Sequence, residues 1–163
     1  MRKIVPFVVS MLVMCACSSI DCPLNNVVTV SWQLMKSSET IDTLHDTISV
    51  ITKRKDNMND TVLLNRAVNV TSFVLPISYN QPEDEVYFIL KDTLDNVYTD
   101  TVKWSKTDQS HFESVDCAPS FFHTISGVSY TTHAIDSIRI NKKTVDYETT
   151  VPHFFVYFHN RDI

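Results

Sequence analysis

From Val28 the chain alternates. Val28, Val30, Trp32 and Leu34 interleave with Thr29, Ser31 and Gln33, and a period of two places each set on its own face of a half-buried strand. Similar short runs follow at 47–54, 61–65, 69–78, 85–91, 96–104, 109–116, 120–130, 134–141 and 153–160. They are rich in Val, Ile, Thr, Tyr and Phe, residues suited to a pleated surface. No apolar i, i+3, i+4 pattern persists long enough for a helix. The connectors are polar, as in "KRKDNMND" and "YNQPEDE".

"EVYFILKD" runs through "TLDN" into "VYTDTVKW", which predicts a hairpin with Asp95 and Asn96 in its turn. The runs 85–91 and 153–160 are apolar on both faces and read as central or covered strands. Gly127 is the single glycine, so Asn and Asp are expected at most left-handed turn positions. The pattern as a whole predicts an all-β chain, an antiparallel β-sandwich of immunoglobulin-like architecture. A small barrel is the alternative.

The first residues follow another rule. Arg2 and Lys3 precede an apolar run from Ile4 to Met14, too short for the ~20 residues of a spanning helix. A basic start, an apolar centre and small residues at the end make a secretory signal. "MCAC" (14–17) places small Ala16 before Cys17, whereas "LVMC" places bulky Met14 before Cys15. Cys17 is therefore the expected lipid acceptor of a lipoprotein signal, with Cys15 and an ordinary cleaved signal as the alternatives. The expected organisation is a signal peptide over 1–16, a lipidated cysteine and short tether over 17–26, and one domain over 27–163.

Loss of residues 1–16 leaves 147 of the 163 residues and, without Arg2 and Lys3, takes the formal charge from −5 to −7. An acidic chain of this kind does not suit nucleic acid, whose phosphates demand clustered Lys and Arg. The run Lys53-Arg54-Lys55 reads as a solvated strand end. Two cysteines follow the lipid acceptor. In an oxidising compartment Cys22 and Cys117 are expected to form a disulfide. Free thiols or metal ligands are the alternative, without CxxC spacing to support them.

Chemistry-bearing motifs are missing. The sequence contains no GxSxG, HExxH, P-loop or D-x-D-x-D calcium loop. His153 and His159 share a strand face but stand about 20 Å apart, and His123 and His133 fall on neighbouring runs. His133 and Asp136 read as turn-capping groups. No catalytic residue, metal or cofactor is assigned. The expected role is a non-enzymatic structural or interaction module, anchored to a membrane by its lipid. The aromatic run Phe154 to Phe158 suggests a docking face for an envelope protein. The alternative is a carbohydrate-binding sandwich, with Trp32, Trp104, Tyr98 and Tyr130 as stacking candidates.

The stretch "DCAPSFFHTISGVSYTTHAIDSIRI" (116–140) is similar to the C-terminal signature of a family of uncharacterised Bacteroidota lipoproteins. That family pairs a lipobox and early cysteine with a later cysteine, an aromatic strand, a "T-x-H-A-I-D-S" stretch and a closing aromatic strand. Here Cys22, Cys117, Phe121-Phe122, Thr132 to Ser137 and Phe154 to Phe158 occupy those places, and Ala118-Pro119 stands where the pattern has a glycine. The resemblance implies an outer-membrane lipoprotein, read here as periplasm-facing, and no assigned activity. Six Asp-Thr or Asp-Ser pairs precede an aliphatic residue, which looks like the O-glycosylation acceptor of Bacteroidota envelope proteins. Strand entry after an Asp turn gives the same tripeptide. Surface position favours Thr43, Thr47 and Thr61 as carriers.

Overall fold

The computed structural model describes Cys22, residues 28–53 and residues 60–159. Within them the chain forms ten strands and no helix. They are β1 (Thr29–Leu34), β2 (Thr47–Thr52), β3 (Thr61–Ala67), β4 (Ser72–Pro76), β5 (Glu83–Lys91), β6 (Val97–His111), β7 (Ser120–Tyr130), β8 (Ile135–Ile140), β9 (Thr144–Val145) and β10 (Phe154–Phe158). Two sheets pack as a sandwich, one of four strands in the order β4-β1-β10-β8 and one of six in the order β3-β2-β5-β6-β7-β9. Every pairing is antiparallel except β1 with β10, which run parallel.

The doubly apolar runs lie where their pattern requires. β5 has a strand on either side in the larger sheet and β10 in the smaller. The core forms where the alternating faces meet. Trp32 is fully buried between neighbours of its own sheet, stacking on Phe154 at 4.2 Å and on Phe73 at 6.0 Å. Phe88 and Trp104 of the opposite sheet meet it edge-on at 5.4 and 5.7 Å. Offset and edge-to-face rings add to the apolar area that each aromatic side chain hides.

Some expectations change. The runs 96–104 and 109–116 are parts of one long strand, β6, which ends at His111. The polar residues from Ser105 to Ser110 hide the continuity, because this part of β6 pairs only with β7 and extends past the start of β5 opposite Ser105. The turn between β5 and β6 spans Asp92 to Asn96. Its Asp92 carboxylate accepts from the N–H groups of Leu94 and Asn96, both at 2.9 Å, and Asp95 takes φ 70°. Among the described residues four are left-handed, Asn69 and Asp95 as expected and also Glu39 and Arg66. Gly127 is not left-handed and has open space around it. It lies beside the register shift at Ser105/Lys106, where Gly127 and Ile125 pair with consecutive residues of β6 and Ser126 bulges out.

Candidate functional site

β6 carries Asp100, Val102, Trp104 and Lys106 on its inner face, so two charges share the buried phase with two apolar residues. The Lys106 side chain has no exposed surface. Its Nζ donates to the Gln81 carbonyl at 2.7 Å and to Asp108 Oδ1 at 3.0 Å, and lies 4.0 Å from Asp84 Oδ2. His123 Nδ1–H donates to the same Asp108 oxygen at 2.7 Å. Asp84 accepts from Gln81 Nε2 and from the Ser78 N–H. Burial pushes the Asp84 carboxyl above its ordinary range, against the pull of Gln81 and Lys106. Burial also acts upward on Asp108, but the hydrogen bonds from His123 and Lys106 outweigh it and leave that carboxyl low. Beside the cluster, a cleft of about 210 Å³ is bordered by Thr52, Leu63, Ile77, Asp84 and Trp104. Held this way, Lys106 serves as the internal counter-charge of the buried Asp84 and the more open Asp108.

Asp100 is the second buried charge. It accepts from Thr131 Oγ1 and from the N–H groups of His133 and Ala134, each at 2.7 Å, and from the Ile135 N–H at 2.9 Å. His133 Nδ1–H adds a contact at 3.1 Å. Burial acts upward on this carboxyl, yet the combined donors prevail and hold it below the carboxylate range. This single side chain binds the turn between β7 and β8 to the middle of β6. The sequence reading gave the capping role to His133 or Asp136. The structure gives it to Asp100, with His133 among the capped residues. The "THAIDS" stretch thus acquires a physical reason, since its backbone amides enclose a carboxylate.

Ser31 and His153 form a buried pair that superficially resembles a nucleophile and its base. The Ser31 N–H donates to His153 Nδ1 at 3.0 Å, so Nδ1 is unprotonated, and Ser31 Oγ lies 2.8 Å from the same atom. Burial lowers the His153 pKa, assisted by Lys142 and opposed by the Thr144 carbonyl and Asp146. Both residues lie under the surface, at 6% and 0% exposure, which denies a substrate access. The pair fastens the start of β10 to β1, a contact reinforced by the His153 N–H on the Ser31 carbonyl at 2.9 Å.

The remaining expected residues fall as follows. Cys22 is bonded to Cys117, with Cα atoms 5.5 Å apart. Cys17 lies outside the described residues, as do Cys15 and the signal segment. Thr61 is exposed at the start of edge strand β3, whereas Thr43 in the β1–β2 connection and Thr47 opening β2 are half-buried. Thr43 and Asp42 border a polar cleft of about 670 Å³, together with His45, Asp136 and His159. Among the described residues no three His, Cys, Asp or Glu side chains converge as metal ligands. His123 and His133 do not meet, since each is bonded to a different Asp. His153, just before β10, is buried, and His159, just past its end, is exposed.

Two corrections follow from burial. Trp32 and Trp104 are 0% and 1% exposed, which removes the stacking platform on which the carbohydrate reading rested. The outer face of β10 is not a bare aromatic stripe either. Tyr157 is buried and Phe155 half-buried, and the Arg139 guanidinium lies 5.4 Å from the Phe155 ring centroid and 5.9 Å from that of Tyr157. Glu39 holds Arg139 at 2.8 Å.

These features define a β-sandwich whose buried ionic groups act as internal fastenings between strands. A family model spans the chain from the first residue of β2 to the last of β10, residues 47–158. The chain belongs to that family, a family of unknown function (DUF6452). No curated protein and no solved structure matches it.

Proposed function

We propose that the protein is a lipid-anchored envelope module with a structural or interaction role and no catalytic one. Cys17 is its acyl acceptor, after a signal peptide over residues 1–16. The observation that carries this reading is the Cys22–Cys117 bond. It fastens the chain five residues beyond Cys17 to the loop between β6 and β7, so a pull on the anchor is borne by the two longest strands. A covalent clamp at that point suits a domain held by its N-terminus. The surroundings of Lys106 and Asp100 support the non-catalytic half of the proposal, because each group is occupied with holding strands together, and His153 lies wholly under the surface. Outer-membrane placement belongs to the same proposal, supported by Ser18 after Cys17, and the lack of an acidic cluster there favours the periplasmic face over surface exposure.

The test is metabolic acyl labelling in the native host with Cys17→Ala and Cys15→Ala compared. Loss of label and of membrane association in the first alone is expected. Unchanged labelling of Cys17→Ala would transfer the anchor to Cys15, and wild-type protein without label would overturn the anchor itself. Mild-detergent purification of the lipidated protein then identifies its envelope partner.

A further inference from the structure

The far end of the β6–β7 hairpin gathers exposed aromatic and apolar side chains. Phe112 is 62% exposed and Val115 96%, both in the loop that Cys22 joins. Tyr79, 62% exposed, stacks on Phe121 at 4.7 Å, and Tyr147, 44% exposed, meets Phe122 edge-on at 5.1 Å. Phe121 and Phe122 are consecutive in β7 and point to opposite sides. Aromatic and apolar groups therefore surround the tip on both faces and at its end. From Thr107 to Phe121 there is no Lys or Arg, while Glu113 and Asp116 are acidic.

The tether decides what this end meets. Cys22 is five positions beyond Cys17, and a fully extended chain covers at most about 3.6 Å per residue. Cys22, and with it the base of the tip loop at Cys117, thus stays within about 18 Å of an acylated Cys17. The opposite turn lies a β6 length away, and 15 residues at about 3.3 Å each make roughly 50 Å.

We propose that the hairpin tip, through Phe112, Val115, Tyr79 and Tyr147, seats in the headgroup layer of the bilayer to which the lipid is anchored. The inference rests on the acylated Cys17 of the proposed function and deepens it by giving the domain an orientation. Aromatic rings with a polar edge suit the boundary between headgroup and acyl chain. Apolar burial drives the contact. With acidic residues at the tip, anionic lipid adds no attraction.

The test uses lipidated full-length protein in phosphatidylcholine vesicles brominated near the top of the acyl chains. Val115→Trp and Phe112→Trp report the tip, and Leu94→Trp, at a position 71% exposed in the opposite turn, serves as reference. Wild-type protein gives the background of buried Trp32 and Trp104. Quenching at both tip positions several-fold stronger than at position 94 is expected, and unchanged by phosphatidylglycerol. Protein that floats with the vesicles but quenches equally at tip and reference would overturn the seated tip and leave the anchor standing. Lipid-extracted native protein that neither carries an acyl mass nor floats would overturn both.

Discussion

At the scale of single residues, Asp100 has the largest expected effect. Asp100→Ala leaves the buried Ala134 and Ile135 N–H groups unpaired and takes the acceptor from the His133 N–H and the Thr131 hydroxyl, a loss of about 2–4 kcal/mol measurable by urea unfolding. Asp100→Asn keeps the shape but not the charge, so its deficit reports protonation. The folded carboxyl titrates below the ordinary range. The advantage of the wild type is therefore complete above the unfolded pKa of about 4. It shrinks as pH falls through the lower folded value, and a deficit independent of pH would contradict this. His153 works in the opposite chemical sense. Its folded pKa is lowered by burial, so its neutral form is favoured by folding. The stability it contributes is complete above about pH 6.5 and declines as the medium becomes more acidic; a His153→Asn protein should lack that component. Gly127 has neither a left-handed φ nor a crowding neighbour, and Gly127→Ala is expected to raise stability by about 0.4–1 kcal/mol.

At the scale of elements, the sequence displayed what alternates and concealed what does not. β1 was legible because its apolar residues follow the period of two, and β5 because a short run apolar on both faces marks a central strand. β6 was not, because its last third projects beyond the sandwich and is solvated. β9 is two residues long and leaves no periodic trace. The ionic fastenings had a signal that could have been used: Asp100 and Lys106 fall in phase with Val102 and Trp104, which predicts buried charges wherever that face is covered. Their partners lie on other strands, at separations that no local pattern encodes. The cysteine pair was legible because compartment and parity suffice. Its loop of 94 intervening residues suggests up to about 4–5 kcal/mol from chain entropy. A Cys22→Ser/Cys117→Ser protein should keep its sheets by circular dichroism and unfold at lower urea. Lys106→Met should cost about 2–4 kcal/mol by leaving Asp84 buried without its cation.

At the scale of the whole molecule, the expected modification can be placed. A glycan needs open surface, and of Thr43, Thr47 and Thr61 only Thr61 is exposed. Intact mass of protein from its native host should show a glycan removed by Thr61→Ala; a mass equal to the acylated polypeptide alone would reduce the Asp-Thr pairs to strand-entry sequence. β3, which begins at Thr61, is also a margin of the six-stranded sheet. Its pairing with β2 shifts register twice, and Arg66 within it takes φ 47°. Bulges twist a strand out of the flat line that another strand would need in order to add to it. Molecules tethered side by side in a membrane collide at high local density, and a straight, unpaired margin would let them zip into fibres. On the proposed lipid anchor, the kinks of β3 would keep such a crowd of copies apart.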